Sequence, residues 1–397
     1  MMSKLSEKED LELLFAEPIA SVYQRERSTF DTLAAPFENS LVLFGAGGLG
    51  KKTLAGLRSV GIEPLAFADN NLNLWGRDIN GVQVMSVEDA AREFGHKSAF
   101  VITIWKGEAV DTMADRRLQL ERLGCARIVP FGYLYWKYSE VFLQHYAFDM
   151  PHKVFEQAQA VQKVFSLWED DASRHEYLAQ LKWRMLMDFD GLPAPVSSEI
   201  YFPNDLVQIL PDELFIDCGA YDGDTVRSLL STQGEYSGKI IAFEPDPANF
   251  RQLEGYVRGL PHAIKERVNI HPFAVGARRS KVRFEASGTE ASAVGSGDFE
   301  VECVALDEVL GENKPTYIKM DIEGSELDAL MGAQNIIRKN LPVFAICSYH
   351  RQDHLWKIPA LIHSYADEYR FFLQPHLLEV WDLVCYAIPV HRLTIER

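Results

Sequence analysis

The stretch FIDCGAYDGDT, Phe215 to Thr225, joins an apolar run to a glycine turn that carries acids. Asp217 ends the run, Gly219 and Gly223 permit close backbone approach, and Asp222 and Asp224 lie within the turn. A loop built to cradle phosphate would not contain carboxylates. The next apolar run, KIIAFE, ends in Glu244, and a later one, TYIKMDI, leads to Asp321 and Glu323. Acids at three successive strand ends suit a cofactor that is cationic and held by its ribose hydroxyls. S-adenosylmethionine (SAM) fits that description. Asp217 and Asp224 are candidates to hold its ammonium, Glu244 to accept from two ribose hydroxyls, and Phe273 and Ala274 to border its adenine. Asp and Gly are also common in turns for local reasons, so the ordered set carries the reading rather than any one residue.

The elements that must position these residues read as two α/β units. LVLFGAGGLG from Leu41, PLAFADN, GVQVMS and AFVITIW alternate with helix signals at Lys51–Val60 and Val87–Phe94, which implies a parallel sheet closing near ARIVPFGYL. From about Pro151 the pattern turns helical, and Ser173 with Glu176 three residues on has the form of a capping box opening a second helix. The second unit begins near Glu213, with strands LFIDC, KIIAFE, VNIHPFAV, TYIKMDI, PVFAICSY, YRFFLQ and LVCYAIP. Seven strands ending in an apparent hairpin suit an open doubly wound sheet with an antiparallel edge. KVRFEASG and FEVECVAL interrupt that rhythm as a small antiparallel pair, and ASGTEASAVGSGDF between them reads either as a loop over the acceptor pocket or as a connector. The expected divisions are a helical segment at 1–38, a small domain at 39–135, a helical connector at 136–210 and a larger domain at 211–397.

Bulk properties exclude several classes. The 397 residues carry 40 basic and 57 acidic side chains, a net charge of −17, which disfavours nucleic acid as a partner. Five cysteines without paired spacing argue against a disulfide framework or a zinc site and for a reducing compartment. The N-terminal residues lack an apolar signal region, and no apolar run approaches the roughly 20 residues needed to span a bilayer. The expectation is a cytoplasmic protein without membrane insertion; its oligomeric state stays open.

Residues 213–389 resemble the FkbM-type SAM-dependent methyltransferases in FIDCGAYDGDT, AFEPDP, FAVG, LDEVL, IKMDIEGSELDALMGA and SYHRQDHLWKIPALI, in that order. YFPNDLVQILPDELF just upstream is similar to the segment that leads into this family's domain. The resemblance implies a Rossmann-like fold, here a seven-stranded class I methyltransferase sheet, and O-methylation of a hydroxyl on a sugar, glycan precursor or glycosylated natural product. It makes Asp217, Gly219, Gly223, Asp224 and Glu244 cofactor residues, and Asp321, Glu323 and His350 the acceptor side. An alcohol is a weak nucleophile until it begins to lose its proton, so His350 and Asp321 are candidate bases. His350 reads equally as a strand-end histidine bonded to backbone. Asp321, Glu323 and His350 are also a ligand set that suits magnesium or manganese, though the sequence does not commit to a metal.

A second glycine loop, GAGGLGKK, matches GxGxxG at Gly45, Gly47 and Gly50, and Asp69 ends the next strand 19 residues after Gly50. It has no acids and is followed by Lys51 and Lys52, so it suits a phosphate, with Asp69 on a ribose. It resembles nucleotide-binding Rossmann domains. Equally, the glycines read as serving only close strand–helix packing. Two further functions therefore stand beside the transferase: an NAD-dependent oxidoreductase using this loop, and a non-catalytic nucleotide-sensing module. The aromatic run FGYLYWKYSEVF reads as core rather than as a carbohydrate platform.

Overall fold

The computed structural model describes residues 7–106, 111–232, 236–285, 293–294 and 299–394. They fall into two compact units. The first takes the chain up to Gln159 together with Leu178–Ala194 and Leu377–Trp381; the second takes Ala160–Tyr177, Pro195–His376 and the chain from Asp382.

The first unit is built on strands β1 (Leu41–Phe44), β2 (Ala66–Asp69), β3 (Asp78–Ile79), β4 (Val82–Ser86), β5 (Ala99–Ile102) and β6 (Arg127–Pro130), in the order β3-β4-β2-β1-β5-β6. Only β3 runs antiparallel to its neighbour. The central strands β1 and β5 are short and apolar on both faces, and every residue in them is buried, as helices covering a parallel sheet require. The expected helix after β1 begins earlier than the lysines, at Gly48, because Gly47 is extended and acts as its N-cap. The helix Val87–Phe94 starts where expected, capped by the Ser86 hydroxyl on Asp89 N. Phe131, Tyr135, Trp136 and Phe142 of the aromatic run are buried, Tyr135 and Phe142 stacked at 4.2 Å between ring centres, so the run is core.

The second unit holds the seven-stranded sheet. Its strands are β7 (Leu214–Cys218), β8 (Lys239–Phe243), β9 (Val268–His271), β14 (Tyr317–Met320), β15 (Val343–Cys347), β16 (Tyr369–Pro375) and β17 (Leu383–Pro389). The order is β16-β17-β15-β14-β7-β8-β9, with β17 antiparallel to both of its neighbours and all other pairs parallel. Strand order reverses at the β7–β14 junction, which opens a crevice beyond the carboxyl ends of those strands. The expected single strand VNIHPFAV divides: β9 stops at His271, and β10 (Ala274–Val275) pairs instead with β13 (Phe299–Val304). With β11 (Ser280–Glu285) and β12 (Ala293–Val294), these make a separate four-stranded sheet in the order β10-β13-β11-β12. The β11–β13 pairing is the antiparallel pair read from the sequence. Most of the Ser/Gly-rich stretch read as a loop over the acceptor lies outside the described residues.

The capping box at Ser173 is not formed at the helix start. The helix Asp171–Leu186 begins two residues earlier, Asp170 Oδ1 accepts from Ser173 N at 2.7 Å, and the Ser173 hydroxyl accepts from Leu373 N at 2.9 Å. Asp170 thus does the capping that the Ser/Glu spacing suggested for Ser173. No helix among the described residues is long and apolar enough to cross a membrane.

Candidate active site

Two charged side chains sit on the central strands of the seven-stranded sheet. Asp217 of β7 and Lys319 of β14 are cross-strand partners, and both are buried. Lys319 Nζ lies 3.1 Å from Asp217 Oδ1 and donates to Gly219 O at 2.6 Å. Burial pushes the Asp217 carboxyl up to about 6, with Lys319 pulling the other way. The pair therefore ties the glycine turn to the neighbouring strand. Asp217 is fully enclosed rather than open to a ligand, whereas Asp224 is exposed at the start of the helix Asp224–Thr232. Gly219 has φ +84°, and a Cβ there would lie 1.9 Å from Asp321 O. Only glycine lets the turn press against the end of β14. Gly223, at φ +92°, leaves the space beside Tyr256.

Glu244, just past β8, is buried and faces this turn. Its Oε2 accepts from Tyr221 N at 2.9 Å and its Oε1 from Asp246 N at 2.8 Å. Burial raises its pKa to about 7, against those two backbone donors. Each oxygen keeps a further lone pair, so the carboxylate is oriented and can still accept from a vicinal diol. Phe273 and Ala274 follow the end of β9; the Phe273 ring stacks on His271 at 5.8 Å, and His271 on Phe243 at 5.3 Å. Of the residues singled out for SAM, Gly219, Gly223, Asp224 and Glu244 follow the ends of β7 and β8, whereas Asp217 is enclosed against Lys319 and Ala274 belongs to β10 rather than to β9.

Across the switch point, Asp321, Glu323 and His350 come together. His350 Nε2 is 3.3 Å from Asp321 Oδ1 and 3.7 Å from Glu323 Oε1. Glu323 occupies a turn with φ +54°, and Arg351 Nε donates to the carbonyl of the adjacent Gly324 at 3.0 Å. Behind them lies a buried acid, Glu326, whose Oε1 is 2.7 Å from His350 Nδ1 and whose Oε2 is 3.2 Å from His354 Nδ1. The two histidines four residues apart therefore converge on one carboxylate rather than acting as a pair on a helix face. Tyr201 donates to Asp321 Oδ2 at 2.8 Å. Burial opposes charge on His350, but Glu326, Glu323 and Asp321 outweigh it and hold the imidazole well above its ordinary value. Burial likewise opposes charge on Asp321, yet His350, Lys319 and Tyr201 hold it well below the usual carboxylate range.

Residues 217–377 match the methyltransferase FkbM domain family. The chain carries an FkbM methyltransferase domain. SAM is the methyl donor that this domain implies, and the protein is a methyltransferase. Over 96% of this chain and 97% of the other, its fold is similar to that of the methyltransferase FkbM from Methylobacillus flagellatus KT, with a TM-score of 0.75 and 22% identity. Weaker likenesses are to the precorrin-6y C5,15-methyltransferase of Geobacter metallireducens GS-15 (TM-score 0.29, 11% identity, 46% of this chain and 81% of that one). Another is the SAH-bound methyltransferase PaMTH1 of Podospora anserina (TM-score 0.26, 11% identity, 45% and 71%). Neither of these two carries weight here. No curated protein matches the chain.

Within the FkbM domain, sequence reasoning missed Lys319, Glu326 and Tyr201. Lys319 and Glu326 lie inside the quoted IKMDIEGSELDALMGA, and a lysine in a buried strand is itself a sign of a buried acid opposite. Tyr201 opens YFPNDL, more than 100 residues from Asp321, and no spacing rule reaches that far.

The first unit's glycine loop is tightly packed. A Cβ on Gly50 would lie 1.9 Å from Gly45 O, and Gly45 has φ +117° against Thr103 and Ile104, so both serve close packing. A Cβ on Gly47 would meet nothing. Asp69 turns back on the loop, accepting from Ala46 N and Asn71 N, each at 2.7 Å. Lys52 points at His145 Nδ1, 3.0 Å away, while Lys51 is exposed.

Proposed function

We propose that the protein is a SAM-dependent O-methyltransferase whose acceptor is a hydroxyl of a sugar, a glycan precursor or a glycosylated natural product. Glu244 carries the reading: a buried carboxylate at the second strand's end, fixed by two backbone donors, with lone pairs left for a ribose diol. When bound, SAM supplies a methyl already activated on sulfonium. The chain's task is to bind, orient and manage a proton. Gly219 and Gly223 bring the backbone close, Glu244 takes the ribose hydroxyls and Asp224 the ammonium. Asp321 and Glu323, partly exposed, receive the acceptor hydroxyl, and its proton leaves toward that pair. Asp321 is held ionised by His350, Lys319 and Tyr201. His350, held cationic, is in the wrong form to accept a proton and serves instead to fix Asp321. A polyhydroxylated acceptor suits a site side so rich in hydrogen-bond acceptors. Five cysteines without disulfides among the described residues support a cytoplasmic setting.

The test combines calorimetry with SAM and transfer of labelled methyl to a panel of sugars. Glu244→Ala should lose SAM binding; Asp321→Asn should keep it and lose turnover by about 10²–10⁴-fold. Full activity in both Asp321→Asn and His350→Ala would sink the acceptor assignment.

A further inference from the structure

The Asp321–Glu323–His350 cluster has the features of a cation site. One donor atom from each residue lies within 4.8 Å of the others. An octahedral ion with bonds of about 2.1 Å separates neighbouring ligands by about 3.0 Å and opposite ones by about 4.2 Å, so sub-ångström adjustments bring this set onto a metal. Proximity of acids alone would not point to a ligand. The histidine does. His350 is 5% exposed, and its Nε2 is buried without an aligned hydrogen-bond partner, although it is aimed between the two carboxylates. Its other nitrogen, Nδ1, is bound by the enclosed Glu326 at 2.7 Å. With Nδ1 donating to Glu326, Nε2 faces Asp321 and Glu323, and once a cation displaces its proton its lone pair is aimed at the same point as their oxygens. Carboxylate–histidine–metal relays use this arrangement. Tyr201 occupies the second oxygen of Asp321, which orients the first toward His350.

We infer that a divalent cation, Mg²⁺ or Mn²⁺, binds Asp321, Glu323 and His350 through two carboxylate oxygens and Nε2, with Glu326 as a positioning residue. Two hard oxygen donors select for these ions over soft metals, and the imidazole shifts preference toward Mn²⁺. Binding displaces any proton from Nε2. Asp321 and Glu323 are partly exposed, so the remaining coordination positions open to the acceptor side. The site rests on the methyltransferase reading only for its use: a bound ion would make an acceptor hydroxyl more acidic and help to position it.

Mn²⁺ alone is the probe, titrated into the full chain and followed by calorimetry and by loss of the free-ion electron paramagnetic resonance signal. The expected result is one Mn²⁺ per chain, competed by Mg²⁺. Affinity should fall on the order of 10–100-fold in Glu326→Gln and further in Glu323→Gln and His350→Ala, with SAM affinity unchanged in Glu323→Gln. Glu323 is in a partly exposed turn, so that variant keeps the test valid if substitutions at the fully buried His350 or Glu326 disturb folding. No Mn²⁺ bound at about 1 mM, or Mn²⁺ bound equally by wild type and Glu323→Gln, overturns the site. SAM binding in the same samples reports separately on the transferase reading.

Discussion

At the residue scale, the cofactor side depends on carboxylates whose burial is offset by specific partners. Glu244 has a pKa raised to about 7 from a usual 4.5. If its ionised form accepts from the ribose, SAM affinity should weaken as pH falls through about 7, measured by calorimetry from about pH 8 to about 5.5. The sign reverses for stability of the free protein. The folded chain holds the Glu244 proton that the unfolded chain has already released, so this group's contribution falls as pH rises from about 4.5 to about 7. Lys319→Met leaves Asp217 buried without its cation and should cost about 3–5 kcal/mol in denaturant unfolding. A Lys319→Met, Asp217→Leu double variant should recover much of that loss; equal losses in both would show that the pair itself is not what matters. Gly219→Ala should destabilise by about 1–3 kcal/mol or more, because φ is strained and its Cβ meets Asp321 O.

At the element scale, strand order brings together residues that are distant in the chain. The ends of β7, β8, β14 and β15 supply Gly219, Glu244, Asp321 and His350 in turn, and the reversal between β7 and β14 leaves the space between them. The helix Asp171–Leu186 depends on a cap the sequence pattern put at the wrong residue. Asp170→Ala should cost about 1 kcal/mol, whereas Ser173→Ala should act through the lost bond to Leu373 N. Comparing thermal midpoints of the two variants separates the roles.

At the scale of the whole molecule, two glycine loops of one chain differ in what surrounds them. The loop after β7 carries acids and faces the acids of neighbouring strand ends. The loop after β1 has its second-strand acid, Asp69, already bonded to Ala46 N and Asn71 N, and one of its lysines is turned to His145. Titration with SAM should therefore give one site per chain, and NADH should give no binding. NADH binding that is lost on Asp69→Ala would restore the oxidoreductase alternative.

The α/β class, the order of the strand-end acids and the FkbM motifs were legible because they are local: strand periodicity, glycine turns and strand-end acids are set by neighbouring residues. What decided the site's chemistry was not local. Asp217 looked like a ligand-facing acid until the register of β7 with β14 put Lys319 opposite it. VNIHPFAV reads as one strand because apolar residues recur on both sides of His271–Pro272, yet β9 stops there and β10 is claimed by β13. His350 read as a base or a bystander, since a sequence cannot show that Glu326 fixes one ring nitrogen and leaves the other facing Asp321 and Glu323. Charge on a buried group depends on which charges the fold packs around it, so residue types alone named the candidates and tertiary packing assigned their roles.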